Sequence, residues 1–505
     1  MMFVHWQTRC CCIIYFQELM PVVYLAKPIY SYIYRIMRRL ILSLICLCVY
    51  FSGTAQTFLG LNGDVNCVTQ IRDNPAFAVH EDRAQINFLT VGAEIGSNAI
   101  FFKRGIYNSF FTGQATMDKD YYRSYDKHSK TMWGNMEVIG PGASVLVKKR
   151  YFVAVTTGMR YLMNADNLDD NVYRLMGVNA TRDTNLVDSY KVKNFAITSQ
   201  IYSELNLTYA GFLYQSEDHT LVAGATLKVL NGIGAAGLGI DNATFKTYNN
   251  DGVAHNVTGT ANIAMTPYAN KWAISSNPYS ALRNPANNMS LGADFGLVYY
   301  MNPNETLFRR KGYISRLAIS ITDIGSNSYT ASSVSGKYAV NNKNIDFKHI
   351  QNDNNVSFGT RIFNDYLVDT TATPTGSSKK VKFGLPTALH INGDFKIEEH
   401  FWVNGNVLIN LRKVNANELS NHYISTLTVT PRYVWGKFAV SVPFSFNMQK
   451  QGYLGVILFA GPVYVGSGSL FQMTVSNSIN NLNLFVGSSL RIKAKRQKER
   501  DAMMM

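Results

Sequence analysis

Hydrophobic and polar residues alternate with a period of two along much of the chain. Between Ala388 and Arg412, the odd positions hold Leu389, Ile391, Phe395, Ile397, Phe401, Val403, Val407, Ile409 and Leu411. The even positions hold His390, Asn392, Asp394, Lys396, Glu398, Asn404, Asn406, Asn410 and Arg412. Successive side chains of a strand point to opposite faces, so the pattern predicts an antiparallel hairpin with one apolar and one polar face. Its turn falls near Glu399–His400. A second hairpin repeats the design. Leu427, Val429, Tyr433 and Trp435 lead to a Gly436-Lys437 turn, and Phe438, Val440, Val442, Phe444 and Phe446 follow. The same alternation predicts strands in 199–213, 221–230, 290–300, 317–324, 453–465 and 481–492.

Several of these runs are about ten residues long, which suits a tilted strand crossing a bilayer better than a strand of a soluble sheet. Aromatic pairs sit at strand ends, at Tyr151-Phe152, Tyr299-Tyr300, Phe401-Trp402 and Tyr433 with Trp435. Rings in such places mark a membrane–water boundary. Connections alternate between tight turns such as Gly436-Lys437 and long polar stretches at 114–135, 164–190, 241–260, 325–356 and 364–380. The predicted fold is all-β. It is a transmembrane antiparallel β-barrel over 84–492, of about 14 strands (range roughly 12–16), because a closed barrel satisfies every backbone group in lipid. A secreted sandwich or propeller is the soluble rival, but the sequence shows no blade-length repeat.

Composition agrees with that picture. Of 505 residues, 47% are hydrophobic, 12% are aromatic and only 16% are charged, against about 25% charged in soluble domains. The N-terminus points to export. Residues 37–57 read MRRLILSLICLCVYFSGTAQT, with Arg38 and Arg39 ahead of an apolar run from Leu40 to Phe51. Gly53 and Ala55 are the small residues before a cleavage site between Ala55 and Gln56. This is a Sec-type signal peptide over 37–55, too short to span a bilayer. Residues 1–36 resemble neither a domain nor a charged leader, and Met37 is read as the true start. A long signal-anchor is the competing reading. No small residue precedes Cys46 or Cys48, which excludes a lipoprotein signal.

Cleavage would remove five basic residues, one acidic residue and five of the six cysteines, leaving Cys67 and a net charge of +11. An exported chain with one cysteine has no internal disulfide framework. The positive charges do not cluster on one helix or arm. The exception is the tail over 493–505, which begins KAKRQKERD and is read as a solvated end. Nucleic acid is therefore not an expected partner, whereas outer-membrane lipid is.

Residues 232–237 read GIGAAG, a literal dinucleotide-type G-x-G-x-x-G. That motif needs a strand before it, a helix after it and an acidic residue about 20 positions on. A strand pattern precedes it over 221–230, but GLGIDNATFKTYNNDGV follows with no helical period. The stretch is read as a flexible strand-to-loop turn at a membrane face. No G-x-S-x-G and no H-E-x-x-H occurs, and the histidines after residue 55 are scattered singly. His390, Asn392 and Asp394 share a polar strand face and could form a proton-transfer group, but polar lumen residues are the expectation there. QNDNN at 351–355 lacks EF-hand spacing and reads as a solvated loop. No enzymatic activity, cofactor or metal is expected.

The segment QIRDNPAFAVHEDRAQINF, with Asn74, Pro75 and Ala76 ahead of a first strand, resembles the FadL-type hydrophobic-compound transporters. LKVLNG (227–232), GADFGLVYY (292–300), AISITDIG (318–325) and FGLPTALHINGDF (383–395) are closer to a Bacteroidetes-type family of outer-membrane barrels of uncharacterised function. The resemblance spans roughly 70–492. It implies that residues 56–83 fold as a hatch-like segment inside the lumen. It also implies location in a Gram-negative outer membrane and passive uptake of a hydrophobic small molecule. The ligand-pocket residues of the transporters are not identifiable in this chain. The alternative is a non-enzymatic scaffold or secretion-associated barrel whose long loops bind an envelope protein.

Overall fold

A computed structural model describes residues 58, 60–61, 67–80, 84–104, 121–124, 129–147, 151–170, 189–216, 218–246, 253–267, 288–301, 313–332, 335–346 and 380–492. The signal segment, the cleavage site at Ala55 and Gln56, the loop 351–355 and the basic tail lie outside the described residues.

Fourteen antiparallel strands close on themselves. They are β1 (Ala84–Ser97), β2 (Lys130–Val147), β3 (Tyr151–Leu168), β4 (Phe195–Gln215), β5 (His219–Lys246), β6 (Met289–Met301) and β7 (Ser315–Thr330). There follow β8 (Ala388–Lys396), β9 (Phe401–Asn410) and β10 (Thr426–Trp435). The next two strands are each in two pieces, β11 (Phe438–Ser441 and Phe444–Asn447) and β12 (Gly452–Leu454 and Val456–Ala460). The last are β13 (Val463–Ser467) and β14 (Asn481–Ile492). Closure is made by β1, which pairs with β14 from Ala84↔Ile492 to Gly96↔Asn481 and with β2 on its other edge.

The even–odd pattern decides which face meets which solvent. In β9, Asn404 and Asn406 are buried inside the barrel while Val403, Val407 and Ile409 look outward. The outer face carries a belt of exposed apolar side chains on every side, including Leu205, Leu207, Leu291, Leu297, Ile319, Ile391, Phe446, Leu458 and Val486. An apolar outside around a polar, packed inside is the arrangement of a membrane-spanning barrel.

We call the end holding Ala84 and Ile492 the near end. The tight connections, including Gly436-Lys437 and Gly461-Pro462, lie there, and most long ones lie at the far end. An aromatic girdle rims the near end. Tyr151 stacks on Tyr209 at 5.7 Å between centroids, His219 on Tyr299 at 5.8 Å and Trp435 on Phe438 at 6.2 Å. Only one ring of some predicted pairs takes part, since Phe152 and Tyr300 are buried within the barrel. Adjacent strand residues cannot share a face.

Two expectations are corrected. The polar stretches 114–135, 164–190, 241–260 and 325–356 are not wholly loop. Strands β2, β3, β5 and β7 continue into them, and β5 runs for 28 residues. The strands Val253–Met265 and Gly336–Asp346 join the far part of β5 as an extension of the sheet. This extension has its own apolar cluster around Tyr190, Phe245, Ile263 and Tyr338. Its strands mix polar residues with this cluster, and Asn167, Asn194, Asn242 and Asn256 take positive φ at irregularities. The second correction is GIGAAG, which is strand and not a strand-to-loop turn. Its glycines face large neighbours, as set out below.

Candidate functional site: the filled lumen

Barrels of this strand number enclose more space than their own inward side chains fill. Here two further segments occupy it. From the near end, Cys67–Gln70 forms a helix (α1) and Pro75–Ala78 a 3₁₀ turn, with Pro75, Ala76, Phe77 and Ala78 all buried. From the far end, the connection 411–425 between β9 and β10 turns inward and buries Ala416, Leu419, Asn421, His422, Tyr423 and Ile424.

Asn74 organises the near segment. Its Oδ1 accepts from the Ala76 N–H at 2.9 Å, capping the 3₁₀ turn. Its Nδ2 donates to the carbonyls of Leu297 and Ile319 at 3.2 and 3.1 Å. Pro75 at the first helical position needs no N–H partner. Opposite this turn, Gly224 of β5 and Gly296 of β6 are paired neighbours. A Cβ on Gly296 would collide with Asn74 Oδ1, and one on Gly224 would come within 2.5 Å of Ala76 N. Two inward glycines thus form a notch that the Asn74-Pro75-Ala76 stretch fills. Ser144 donates to the Ala78 carbonyl at 2.9 Å, and Ser320 donates to the carbonyl of Asp73.

At mid-lumen lies a buried network of both charge signs. Asp323 accepts from Arg160 at 2.8 Å, Lys228 at 2.6 Å and the Tyr423 hydroxyl at 3.2 Å. Lys228 also pairs with Asp294 at 2.9 Å, and Arg160 lies 3.5 Å from Glu204. Arg72 of the near segment forms a two-pronged pair with Glu137, with Nη2 to Oε1 at 2.7 Å. Asp323 sits at a bulge where β7 carries one residue more than β6, with φ of 56°. Its N–H donates to Asp294 Oδ1 at 2.6 Å. The bulge aims the carboxylate at the two cations, and Asp tolerates the left-handed region better than most residues. A small cavity between Phe58, Arg72, Glu137, Asp323, His390 and Tyr423 has room for the centre of about one water molecule, 10 Å³.

Lys228, Asp294, Asp323 and His390 each come from a different one of the four short motifs singled out in the sequence. The fold brings three of them into this network. His390 lines the adjoining cavity and hydrogen-bonds Thr322 at 2.9 Å. His390 stands apart from Asn392 and Asp394, which share Asn404 Nδ2 as a donor at 3.3 and 3.1 Å. Asn392 exchanges hydrogen bonds with Asn404, and Asp394 pairs with Arg432 at 3.0 Å. Arg160, Glu137 and Arg72 were not legible as site residues, because nothing local distinguishes an inward charge from a solvated one.

The far segment is held by amides and one titratable pair. Asn164 Oδ1 accepts from Asn421 Nδ2 at 2.8 Å and from the His422 N–H at 3.1 Å, and its Nδ2 donates to the His422 carbonyl at 3.0 Å. His422 Nε2 meets Asp166 Oδ2 at 2.8 Å, while Nδ1 meets the carbonyl of Tyr423 at 2.9 Å. Both partners are acceptors, so the doubly protonated ring satisfies both contacts. Burial alone would lower the affinity of His422 for its proton. The Asp166 carboxylate and the two hydrogen bonds outweigh it and hold the imidazole above its ordinary range. With both ring nitrogens engaged, this His–Asp pair has no face left to activate a nucleophile. Among the described residues, no group of three or more His, Cys, Asp or Glu is placed to hold a metal ion.

The chain is similar to three solved structures. One is a TodX monoaromatic hydrocarbon channel mutant, 9% identical, covering 88% of this chain and 98% of its own, with a TM-score of 0.41. A Pseudomonas aeruginosa FadL homologue is 9% identical, covering 87% and 98%, with a TM-score of 0.38. The translocator domain of the autotransporter NalP from Neisseria meningitidis is 7% identical, covering 86% and 91%, with a TM-score of 0.31. Likenesses at this level assign no activity. No curated protein matches the chain. A family model matches residues 75–468, from the Pro75 of the docked turn to the far end of β13, and the chain therefore belongs to that family of unknown function, DUF5723.

Proposed function

We propose that this protein is a Gram-negative outer-membrane barrel that passes a small hydrophobic molecule passively, with the N-terminal segment as its hatch. One observation carries the reading. The inside of β11 to β14 presents an apolar patch of Ala439, Ile457, Phe459, Tyr464 and Phe485 that Leu61 covers with Phe58 packed alongside, and a second apolar wall of Phe152, Phe212, Val222 and Val298 is covered by Ile71 and Phe77. The segment that fills the near lumen therefore also masks its apolar surface. Withdrawal of the segment would offer that surface to an apolar ligand. Export by the 37–55 signal with cleavage between Ala55 and Gln56 belongs to the same reading.

Deletion of residues 56–80 tests it. Uptake of a hydrophobic fluorescent dye and of a hydrophilic sugar of similar size is compared in cells carrying either form. A change in dye uptake supports the hatch, and an unchanged dye rate overturns it. A second reading, a docking barrel for an envelope protein, draws on the far-end sheet with its own apolar cluster. It predicts a stoichiometric protein that co-purifies from native membrane.

A further inference from the structure

The glycines of residues 232–239 have a role that neither a dinucleotide motif nor a flexible turn explains. Along β5 the even residues face inward up to Gly232, which pairs with Tyr202. Ile233 is then an extra residue, since Ile201 pairs with Gly234. After this bulge the inward set becomes odd, with Ala235 opposite Gln200, Gly237 opposite Thr198 and Gly239 opposite Ala196. The inward wall there has almost no side chains, and the 411–425 segment lies against it. A Cβ on Gly237 would stand 2.6 Å from Leu419 Cδ1, and one on Gly239 would collide with the Ala416 carbonyl.

The segment is anchored at its base and at its tip. Its base is pinned: the Asn410 N–H donates to Ser425 Oγ at 2.8 Å, and Arg412 donates to the carbonyls of Gly325 and Leu385 at 2.7 and 3.0 Å. Its tip rests on side chains of the barrel wall, Asn194, Asn262, Asn164 and Asp166, and on Gly384, whose N–H donates to the Leu419 carbonyl at 3.1 Å and whose carbonyl accepts from the Asn421 N–H at 3.2 Å. Leu419 is its apolar foot, packed with Ala235, Ala264, Tyr329 and Phe383. The contacts of the tip all lie on the far wall around the inward glycines, so a side chain added to that wall would displace the tip while the base stays paired.

We infer that residues 411–425 form a lid over the far mouth of the lumen and that the inward glycines of β5 are its seat. The inference rests on the passage reading for its purpose but not for its geometry. Its test therefore reads lid position and flux separately. A Ser420→Cys reporter is placed in the full chain, and its labelling by a membrane-impermeant maleimide is followed by peptide mass in intact outer membrane. Labelling is slow with the native seat. Gly239→Val, which changes no residue of the lid but crowds the Ala416 carbonyl, is expected to speed it about ten-fold by overpacking the seat. Equal labelling rates in a folded, heat-modifiable Gly239→Val protein would overturn the lid. Should that variant fail to fold, the milder Gly237→Ala is combined with Leu419→Ala. Each alone speeds labelling, and together they restore it partly, because the added methyl fills the space the leucine leaves. Strict additivity of the two would overturn the seat. Conductance of the same proteins in planar bilayers is the second readout. Faster labelling without higher conductance keeps the lid and refutes the passage.

Discussion

The near and far fillings of the lumen use the same device with different electrostatics. Each seats a short irregular segment against inward glycines of β5, Gly224 with Gly296 of β6 for the near one and Gly237 with Gly239 for the far one. A strand that offers glycine in place of a side chain lets another backbone approach closely. The near segment is then fastened to Glu137 by Arg72, a guanidinium that keeps its charge. The far segment is fastened by His422 to Asp166, where the cation is conditional. The comparison teaches that one barrel can fasten its two fillings by different kinds of ion pair, one through a guanidinium and one through an imidazole that must be protonated. The two fillings meet through the mid-lumen network, since Tyr423 reaches Asp323 and Arg72 reaches Glu137 beside Arg160.

The largest effect is expected where the two meet. Asp323→Asn leaves Lys228 and Arg160 short of their shared partner and should cost about 3–5 kcal/mol, as breaking a buried pair does. Urea unfolding in lipid vesicles would show it, and a midpoint within error of the native one would refute the network's importance. Next comes Arg72→Ala, expected to cost about 3 kcal/mol by leaving Glu137 buried with only the distant Arg160. Limited trypsin digestion should then cut near residue 80 while leaving 411–425 protected. Arg72→Met with Glu137→Leu should recover most of the loss. If both segments became cleavable together, the fillings would be one unit and not two.

Gly296→Ala is expected to be milder, about 1–3 kcal/mol from overpacking the notch, and confined to the near segment. Hydrogen exchange at the Ala76 amide, which Asn74 caps, is the sensitive readout. The smallest effect belongs to His422→Gln, about 1 kcal/mol for a lost charge-assisted bond. Its sign with pH is fixed by the raised affinity of His422 for its proton. The stabilisation is complete below the unfolded imidazole value of about 6.5 and fades as pH rises through the higher folded value. Labelling of the Ser420→Cys reporter, normalised to a free thiol at each pH because the thiolate is the nucleophile, should therefore accelerate with pH in the native chain and stay flat in His422→Gln.

How far the sequence reached can be argued from particular residues. The hairpins at 388–412 and 427–447 were legible because lipid outside and polar packing inside force a strict period of two. Asn74, Pro75 and Ala76 were legible as a motif, but their place opposite Gly224 and Gly296 was not. That place lies more than two hundred residues away in the chain for Gly296. The far part of β5 was misread because lumen and water both accept Asn, Thr and Gly, so alternation vanishes where no lipid is met. The inward turn of 411–425 left no signal either, because a polar connection looks the same whether it faces water or fills a lumen.

By itself, then, the chain's alternation determined a barrel of about fourteen strands, which face meets lipid and which end carries the tight turns. Those properties depend on the nearest neighbours of each residue and on one solvent boundary. The tertiary structure alone decided that the lumen is filled, that Asp323, Lys228 and Arg160 meet, and that glycines on one strand hold two segments. Such contacts join residues far apart in sequence, and only closure of the sheet brings their inward faces within bonding distance.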